Sequence, residues 1–254
     1  MKKFRKRSAR ALVGAALLAA FAVARAGEVT VAVAANFAGP FARIGEAFTA
    51  ATGHTLKVST GSTGAFHAQI KAAAPFEVLL AADDETPKQL IAEGLAVAGS
   101  NFTYAIGRLV LWSAQPGFVD DQGAVLASGR FAHIAIANPK LAPYGAAGVE
   151  TLKSRGLADT LAPKVVTAES IAQAFQFVAS GNAELGFVAL SQVAVPGKPA
   201  VGSYWLVPAN LYGQIRQDAV LLKVGEKNPA AVALLDYLKG DAAKAQIQAW
   251  GYGH

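Results

Sequence analysis

Short apolar runs alternate with amphipathic stretches along this 254-residue chain, and this alternation constrains the fold more than any other feature. Between residues 29 and 93 the order is strand, helix, strand, helix, strand, helix, with Gly53 and Pro75 ending the first two helices. Such an order is typical of helices that cover a mostly parallel sheet, so we predict an α/β fold. The predicted strands are 29–35, 56–60 and 77–82, and the predicted helices end near residues 51, 74 and 93.

The second half of the chain repeats this order after a β-rich run at 102–113 that is too long for an ordinary strand. We interpret this run as a crossover into a second lobe, and 215–224 as the return crossover. The first lobe is then 27–108 with 213–254, and the second lobe is 109–212. Within them we predict strands at 131–137, 164–167 and 185–190, helices at 145–154, 170–179 and 228–250 with a break at 240–241, and a surface loop at 195–202.

The first 26 residues have the pattern of a cleaved secretory signal peptide. Lysine and arginine cluster before residue 11, residues 11–24 are almost uniformly apolar, and Ala24-Arg25-Ala26 fits a small-x-small cleavage site. The apolar run is shorter than the roughly 20 residues that a membrane-spanning helix needs. We therefore predict a periplasmic protein without membrane insertion.

Removal of this segment changes the charge balance of the chain. The segment holds seven of the 23 Lys and Arg residues and none of the 17 Asp and Glu residues, so 16 basic residues remain against 17 acidic ones. The net charge of +6 is therefore a property of the leader, and it does not support a nucleic-acid partner. The chain has no cysteine, which excludes disulfides, thiolate metal sites, a cysteine nucleophile and a lipidated cysteine.

Four junctions between a predicted strand and the next helix carry neutral hydrogen-bond donors. They lie at Asn36, at Ser62-Thr63, at Tyr144 and at Ile171. Helix N-termini at the carboxyl ends of strands offer unpaired N–H groups and a partial positive charge. Two lobes that face each other would enclose one small anion there. Each junction also has a structural interpretation, namely helix caps at the first two, a loop aromatic at Tyr144 and a core side chain at Ile171.

Catalysis is the alternative from another class, a secreted hydrolase that uses Ser62 or Thr63. The Gly61-to-Gly64 turn is not a Gly-x-Ser-x-Gly nucleophile elbow, and the four histidines lack metal-ligand spacing. We interpret Asp83-Asp84-Glu85 as a solvated turn. We therefore predict that the protein is not an enzyme. A one-component regulator is disfavoured by the signal peptide and by the lack of a DNA-binding segment.

Several motifs together resemble the periplasmic molybdate-binding proteins of bacterial ABC importers. They are Val31 to Asn36, Thr60 to Gly64 followed by Gln69-Ile70, Ala73 to Val78 leading into Ala81-Ala82-Asp83, Ala137-Asn138-Pro139 with Ala142 to Gly145, Leu185 to Val188, Asp236 to Gly240, and Trp250-Gly251-Tyr252. The resemblance implies a two-lobed periplasmic binding protein fold of type II, with a two-strand hinge, closing over molybdate or tungstate. It implies no cofactor, a monomer, and an ABC permease and ATPase as partners.

The resemblance also assigns ligand positions. The family's ligands fall on Asn36 after the first strand and on Thr63, with Ser62 as a close neighbour. Its backbone N–H donors fall on Tyr144 and Ile171.

One position departs from the family pattern, because some members have a ligand tyrosine where this chain has Ala189. The oxyanion then loses one contact or recruits another, such as the Ala35 N–H. Sulfate and thiosulfate stay open as alternative cargo, because cavity size decides between these anions.

Overall fold

The computed structural model describes residues 26–253. The predicted signal peptide at 1–26 lies outside the described residues except for its last position, and it stays a prediction. Among the described residues, no helix has both the length and the apolar character needed to cross a bilayer.

The first lobe is built on a five-stranded mixed sheet. Its strands are β1 (Glu28–Ala34), β2 (Thr55–Gly61), β3 (Val78–Leu80), β4 (Phe102–Gly107) and β10 (Ile215–Leu221). Their order is β2-β1-β3-β10-β4, with β1 parallel to both β2 and β3, and β10 antiparallel to both of its neighbours. The carboxyl ends of β1 and β2 therefore meet at one edge of the sheet.

The second lobe has a sheet of the same plan. Its strands are β5 (Leu109–Ser113), β6 (Ile134–Ala137), β7 (Val165–Ala168), β8 (Leu185–Ala189) and β9 (Ser203–Leu206). Their order is β7-β6-β8-β5-β9, with β6 parallel to β7 and β8, and β5 antiparallel to β8 and β9. The prediction of an α/β fold with two lobes of mixed sheet is confirmed.

Helices cover both sheets. They are α1 (Ala38–Thr52), α2 (Thr63–Lys71), α3 (Glu85–Ala92), α4 (Val125–Ser128), α5 (Pro143–Ser154), α6 (Ala158–Leu161), α7 (Ile171–Ala179), α8 (Leu190–Val193), α9 (Pro229–Lys239) and α10 (Asp241–Ala249), with 3-10 turns at Ala35–Phe37, Ala162–Lys164, Ala209–Leu211 and Lys223–Gly225. The predicted end of α1 is confirmed, because Gly53 adopts the left-handed conformation (φ 74°) that glycine tolerates best.

The chain passes between the two sheets at two connections. Arg108 alone separates β4 from β5, and the segment after β9 returns the chain to β10. The C-terminal segment lies beside the first connection, where Ile106 and Gly253 exchange backbone hydrogen bonds of 2.9 Å. The exact lobe boundaries at 108/109 and 212/213 stay a prediction.

Burial on both faces of the first sheet fixes the end of β1. Val31 and Val33 belong to the apolar cluster that includes α1, α9 and α10, whereas Ala32 belongs to the cluster that includes Phe66 of α2 and Leu90 of α3. Because successive side chains of a strand point to opposite faces, both clusters hold the same strand. The turn after Ala34 is therefore anchored firmly.

Two predicted strand boundaries in the second lobe are wrong, and one strand there was not predicted. Strand β6 begins at Ile134 and not at residue 131, because Lys164 Nζ binds the carbonyl oxygen of Phe131 (2.7 Å) and holds that segment outside the sheet. Strand β8 ends at Ala189, because its N–H donates to Gln192 Oε1 (2.9 Å) at the start of α8. Strand β9 lies in a segment where we predicted no strand.

The start of α3 also differs from the prediction. We interpreted Thr86 as the cap, but the helix begins at Glu85, and the Asp83 carboxylate accepts the Thr86 N–H at 2.8 Å. Asp83 is only partly exposed, so the acidic turn is less solvated than predicted. Burial raises the pKa of the Asp83 carboxyl above its ordinary value of 3.8, against the lowering effect of the bonds from Thr86.

Candidate functional site

Four helix starts converge on one small cavity between the lobes. The cavity is small, with a volume of about 10 Å³ for the centre of a water-sized sphere. It lies where the 3-10 turn after β1, α2, α5 and α7 begin, so first-turn N–H groups without intrahelical acceptors surround it. All six residues predicted for the site line it, together with five further residues: Asn36, Thr63, Tyr144, Ile171, Ser62, Ala35, Ala34, Gly61, Ala82, Ala142 and Pro143.

Ser62 and Thr63, at the start of α2, differ in whether their hydroxyls are hydrogen-bonded to the protein. Thr63 Oγ1 accepts the backbone N–H of Ala82 at 2.9 Å, so the hydroxyl is held in place and its own hydrogen can still be donated. Ser62 is the N-cap residue but makes no capping bond with its side chain. Its hydroxyl is therefore available to a ligand, and Ser62 is a stronger candidate than its place in the sequence prediction suggested.

The side-chain amide of Asn36 is committed to the protein. Its Nδ2 donates to Gln217 Oε1 (2.9 Å) and to the Tyr252 hydroxyl (3.0 Å), which uses both amide hydrogens. From the sequence we expected this amide to face the anion. The groups that this turn can offer to the cavity are instead the backbone N–H groups of Ala35 and Asn36, in its first turn.

The positions of Tyr144 and Ile171 are compatible with the predicted role of backbone donors. Each lies in the first turn of its helix, and each side chain is buried, Tyr144 with 1% and Ile171 with 4% of its surface exposed. The Tyr144 hydroxyl accepts from Gln217 Nε2 at 3.1 Å. The start of α7 is fixed by Gln192, whose Nε2 donates to the Ile171 carbonyl at 3.2 Å.

Ala189 does not line the cavity, but it is connected through Gln192 to a residue that does. The Ala189 N–H orients the Gln192 side chain that holds Ile171. The position that carries a ligand tyrosine in some family members thus supports a backbone donor here.

The cavity carries no ionised side chain among the described residues that line it. Three tyrosines lie at the site or behind it, and burial raises the pKa of Tyr252 to about 12 and those of Tyr104 and Tyr144 well above the ordinary value of 10. All three hydroxyls are therefore neutral at physiological pH. The arrangement can stabilise an anion with hydrogen bonds and helix dipoles, without a countercharge.

The lobes touch directly beside the cavity. The Gly64 N–H in α2 of the first lobe donates to the Leu141 carbonyl of the second lobe at 2.9 Å. On another side, Ser191 Oγ of α8 donates to the Asn36 carbonyl at 2.9 Å. The structure therefore has its two lobes closed over the cavity.

Sequence reasoning missed the polar residues behind the cavity, namely Gln217, Tyr104, Tyr252 and Ser191. No sequence signal identifies Gln217, because it lies between Arg216 and Asp218 and its polarity does not distinguish it from these neighbours. Tyr252 belongs to the Trp250-Gly251-Tyr252 motif, but no pattern in the sequence indicates that this end of the chain packs against the turn after β1.

Comparisons with known proteins agree with this architecture. The family model of bacterial extracellular solute-binding proteins matches residues 29–253. The chain is 60% identical over 241 residues to the molybdate-binding protein ModA of Azotobacter vinelandii, covering 95% of each chain. It is 55% identical over 229 residues to ModA of Rhodobacter capsulatus, covering 90% of this chain and 89% of the relative.

A solved structure gives the same result. The periplasmic molybdate-binding protein of Azotobacter vinelandii is similar with a TM-score of 0.87 at 45% identity, covering 89% of this chain and 99% of that one. The fold, the family model and these identities agree over nearly the whole described chain. The chain belongs to the bacterial extracellular solute-binding proteins, in the group that contains these ModA proteins.

Proposed function

We propose that this protein captures molybdate between its two lobes and delivers it to an ABC importer. It acts in the periplasm as a monomer, with a permease and an ATPase as partners, and it binds tungstate in the same way. The relatives named as molybdate-binding proteins support the cargo, since they match at 60% and 55% identity.

One observation of the site carries the proposal: four helix starts surround a cavity whose lining side chains are all uncharged. Backbone N–H groups and hydroxyls donate hydrogen bonds to an anion. A protonated anion would also need a strong acceptor for its own O–H, and these groups offer none, so a fully deprotonated dianion fits best. The proposed donors are the N–H groups of Ala35, Asn36, Tyr144 and Ile171 with the Ser62 and Thr63 hydroxyls. A hydrolase would also need a general base to accept the Ser62 or Thr63 hydrogen, and none of the described residues that line the cavity supplies one.

The energetics favour tight binding. Charge-assisted hydrogen bonds contribute roughly 1.5–3 kcal/mol each, and about six of them offset the cost of dehydrating and immobilising the ion, with the net far below the sum. Since the donors belong to both lobes, the ion bridges them and stabilises the closed arrangement.

Calorimetric titration of the chain lacking residues 1–26 tests the proposal, with molybdate, tungstate, sulfate and phosphate in turn. We expect tight one-to-one binding of molybdate and tungstate and much weaker binding of sulfate and phosphate. Preference for sulfate would overturn the cargo, and binding of none of the four would overturn the oxyanion site. Turnover of an ester that Ser62→Ala abolishes would instead establish the hydrolase.

A further inference from the structure

Gln217 is fully buried on β10, and its side-chain amide makes three hydrogen bonds. Its Oε1 accepts from Asn36 Nδ2 (2.9 Å) and from the Tyr104 hydroxyl (3.0 Å), while its Nε2 donates to the Tyr144 hydroxyl (3.1 Å). A buried polar group is costly unless it is paired, so these bonds constrain the conformation strongly. Gln217 does not line the cavity, yet two of its three partners do.

The three bonds differ in what they connect. Asn36 and Tyr104 belong to the first lobe, as does Gln217 itself. Tyr144 lies on α5, which packs on β6 and β8 of the second lobe. The bond from Gln217 Nε2 to the Tyr144 hydroxyl, here named the cross-lobe bond, therefore joins β10 of the first lobe to α5 of the second.

The cross-lobe bond lies against the connection between the lobes. Gly107 is the last residue of β4 before the crossover, and a Cβ there would collide with the Tyr144 hydroxyl and with Gln217 Nε2. The pairing of β10 with β4 is also irregular between Gln217 and Asp218. A rotation of the lobes about this connection would change the distance between Gln217 and Tyr144.

We propose that Gln217 is a positioning residue that senses closure: the cross-lobe bond forms only when the lobes close, and it aligns the Tyr144 helix start with the Asn36 turn around the anion. This inference rests on the proposed function for the identity of the anion. The same side chain that fixes the first-lobe donors thereby stabilises the closed state.

The experiment compares Tyr144→Phe with Tyr104→Phe. The second variant removes the other hydroxyl that contacts Gln217, within one lobe, together with the 2.8 Å bond from that hydroxyl to the Ala81 carbonyl. We expect Tyr144→Phe to leave the ligand-free melting temperature unchanged and to raise the molybdate dissociation rate about 5- to 50-fold. Tyr104→Phe should lower the ligand-free melting temperature and leave the dissociation rate nearly unchanged.

The outcomes separate this proposal from the proposed function. A clear fall of the ligand-free melting temperature in Tyr144→Phe would overturn the closure-dependent bond, whatever the fall in Tyr104→Phe, and this measurement needs no ligand. Failure of the unmodified chain to bind molybdate would overturn the cargo alone. In a Gln217→Met background, Tyr144→Phe should no longer change the dissociation rate, and an effect that persists there would show that Tyr144 acts without Gln217.

Discussion

Gly64 provides a direct test of lobe closure, because it lies where the two lobes touch. A Cβ added at this position would lie 2.9 Å from Leu141 Cα, 3.1 Å from Leu141 Cδ2 and 3.2 Å from the Leu141 carbonyl oxygen. Two of these atoms belong to the backbone and cannot rotate away. Gly64→Ala therefore requires the lobes to separate locally, which also lengthens the 2.9 Å hydrogen bond from the Gly64 N–H.

The size of the effect follows from these contacts. Carbon atoms pack best at about 3.5–4.0 Å, and overpacking of this kind costs about 1–3 kcal/mol. Because the clash exists only in the closed state, the cost appears in binding and raises the molybdate Kd about 5- to 150-fold. Alanine also favours a helix over glycine by roughly 0.5–1 kcal/mol. That gain stabilises α2 in the open and closed states alike, so it raises the melting temperature without improving affinity.

Calorimetry and thermal denaturation of the ligand-free protein measure the two effects separately. Gly45→Ala is the matched control, because it is also a helical glycine of the first lobe, and its added Cβ meets only the flexible end of Leu56, at 2.9 Å. We expect the control to leave affinity unchanged. An unchanged Kd in Gly64→Ala would show that the lobes approach less closely in the bound state than in this structure, and would refute the reasoning.

Two further comparisons test individual groups. Ser62→Ala removes a hydroxyl that makes no capping bond, so we expect molybdate binding to weaken about tenfold while the ligand-free melting temperature stays constant. Thr63→Ala should weaken molybdate binding and also leave the buried Ala82 N–H unpaired, which lowers the free energy of unfolding by about 1–3 kcal/mol. Equal melting temperatures for Ser62→Ala and Thr63→Ala would contradict this expectation. Burial raises the pKa of the Asp83 carboxyl above 3.8, so the folded protein binds the proton more tightly than the unfolded chain does. We compare the free energy of unfolding of the wild type with that of Asp83→Asn. This difference should become more favourable to the wild type as pH falls through the folded-state pKa toward 3.8, and less favourable as pH rises. Urea denaturation between pH 4 and 7 checks this, and a difference independent of pH would contradict it.

Local patterns predicted much of the fold because they depend on short-range physics. The alternation of apolar runs with amphipathic stretches located most strands and helices. Helix α1 ends at Gly53, as expected, because glycine readily adopts the left-handed conformation that ends a helix. The four helix starts were located because each combines a strand end with a capping or small residue. Their convergence on one cavity followed from the rule that parallel strands share a carboxyl edge.

Long-range hydrogen bonds account for what the sequence could not predict. The Asn36 amide was expected to face the anion. It donates instead to Gln217 and Tyr252, which lie 181 and 216 residues further along the chain. The start of α3 was misjudged for a local reason, since Asp83 and not Thr86 supplies the capping acceptor. Pairings between distant residues leave no periodic signal, because they depend on how both lobes and the chain end pack together.

The proposed site uses mainly backbone N–H groups as donors, and this explains how it can tolerate substitution of the residues that carry them. Most donors of the proposed site are backbone N–H groups, and only proline removes such a group, so the side chains at Ala35 and Ile171 can vary while the donors remain. The side chains that matter lie one layer behind, where Gln217 and Gln192 fix the helix starts through hydrogen bonds of 2.9 to 3.2 Å. Ala189 fits this view, because its contribution is also a backbone N–H. We therefore expect selectivity to depend on the positions of the helix starts, and substitutions of Gln217 or Gln192 to alter affinity more than substitutions of the apolar lining.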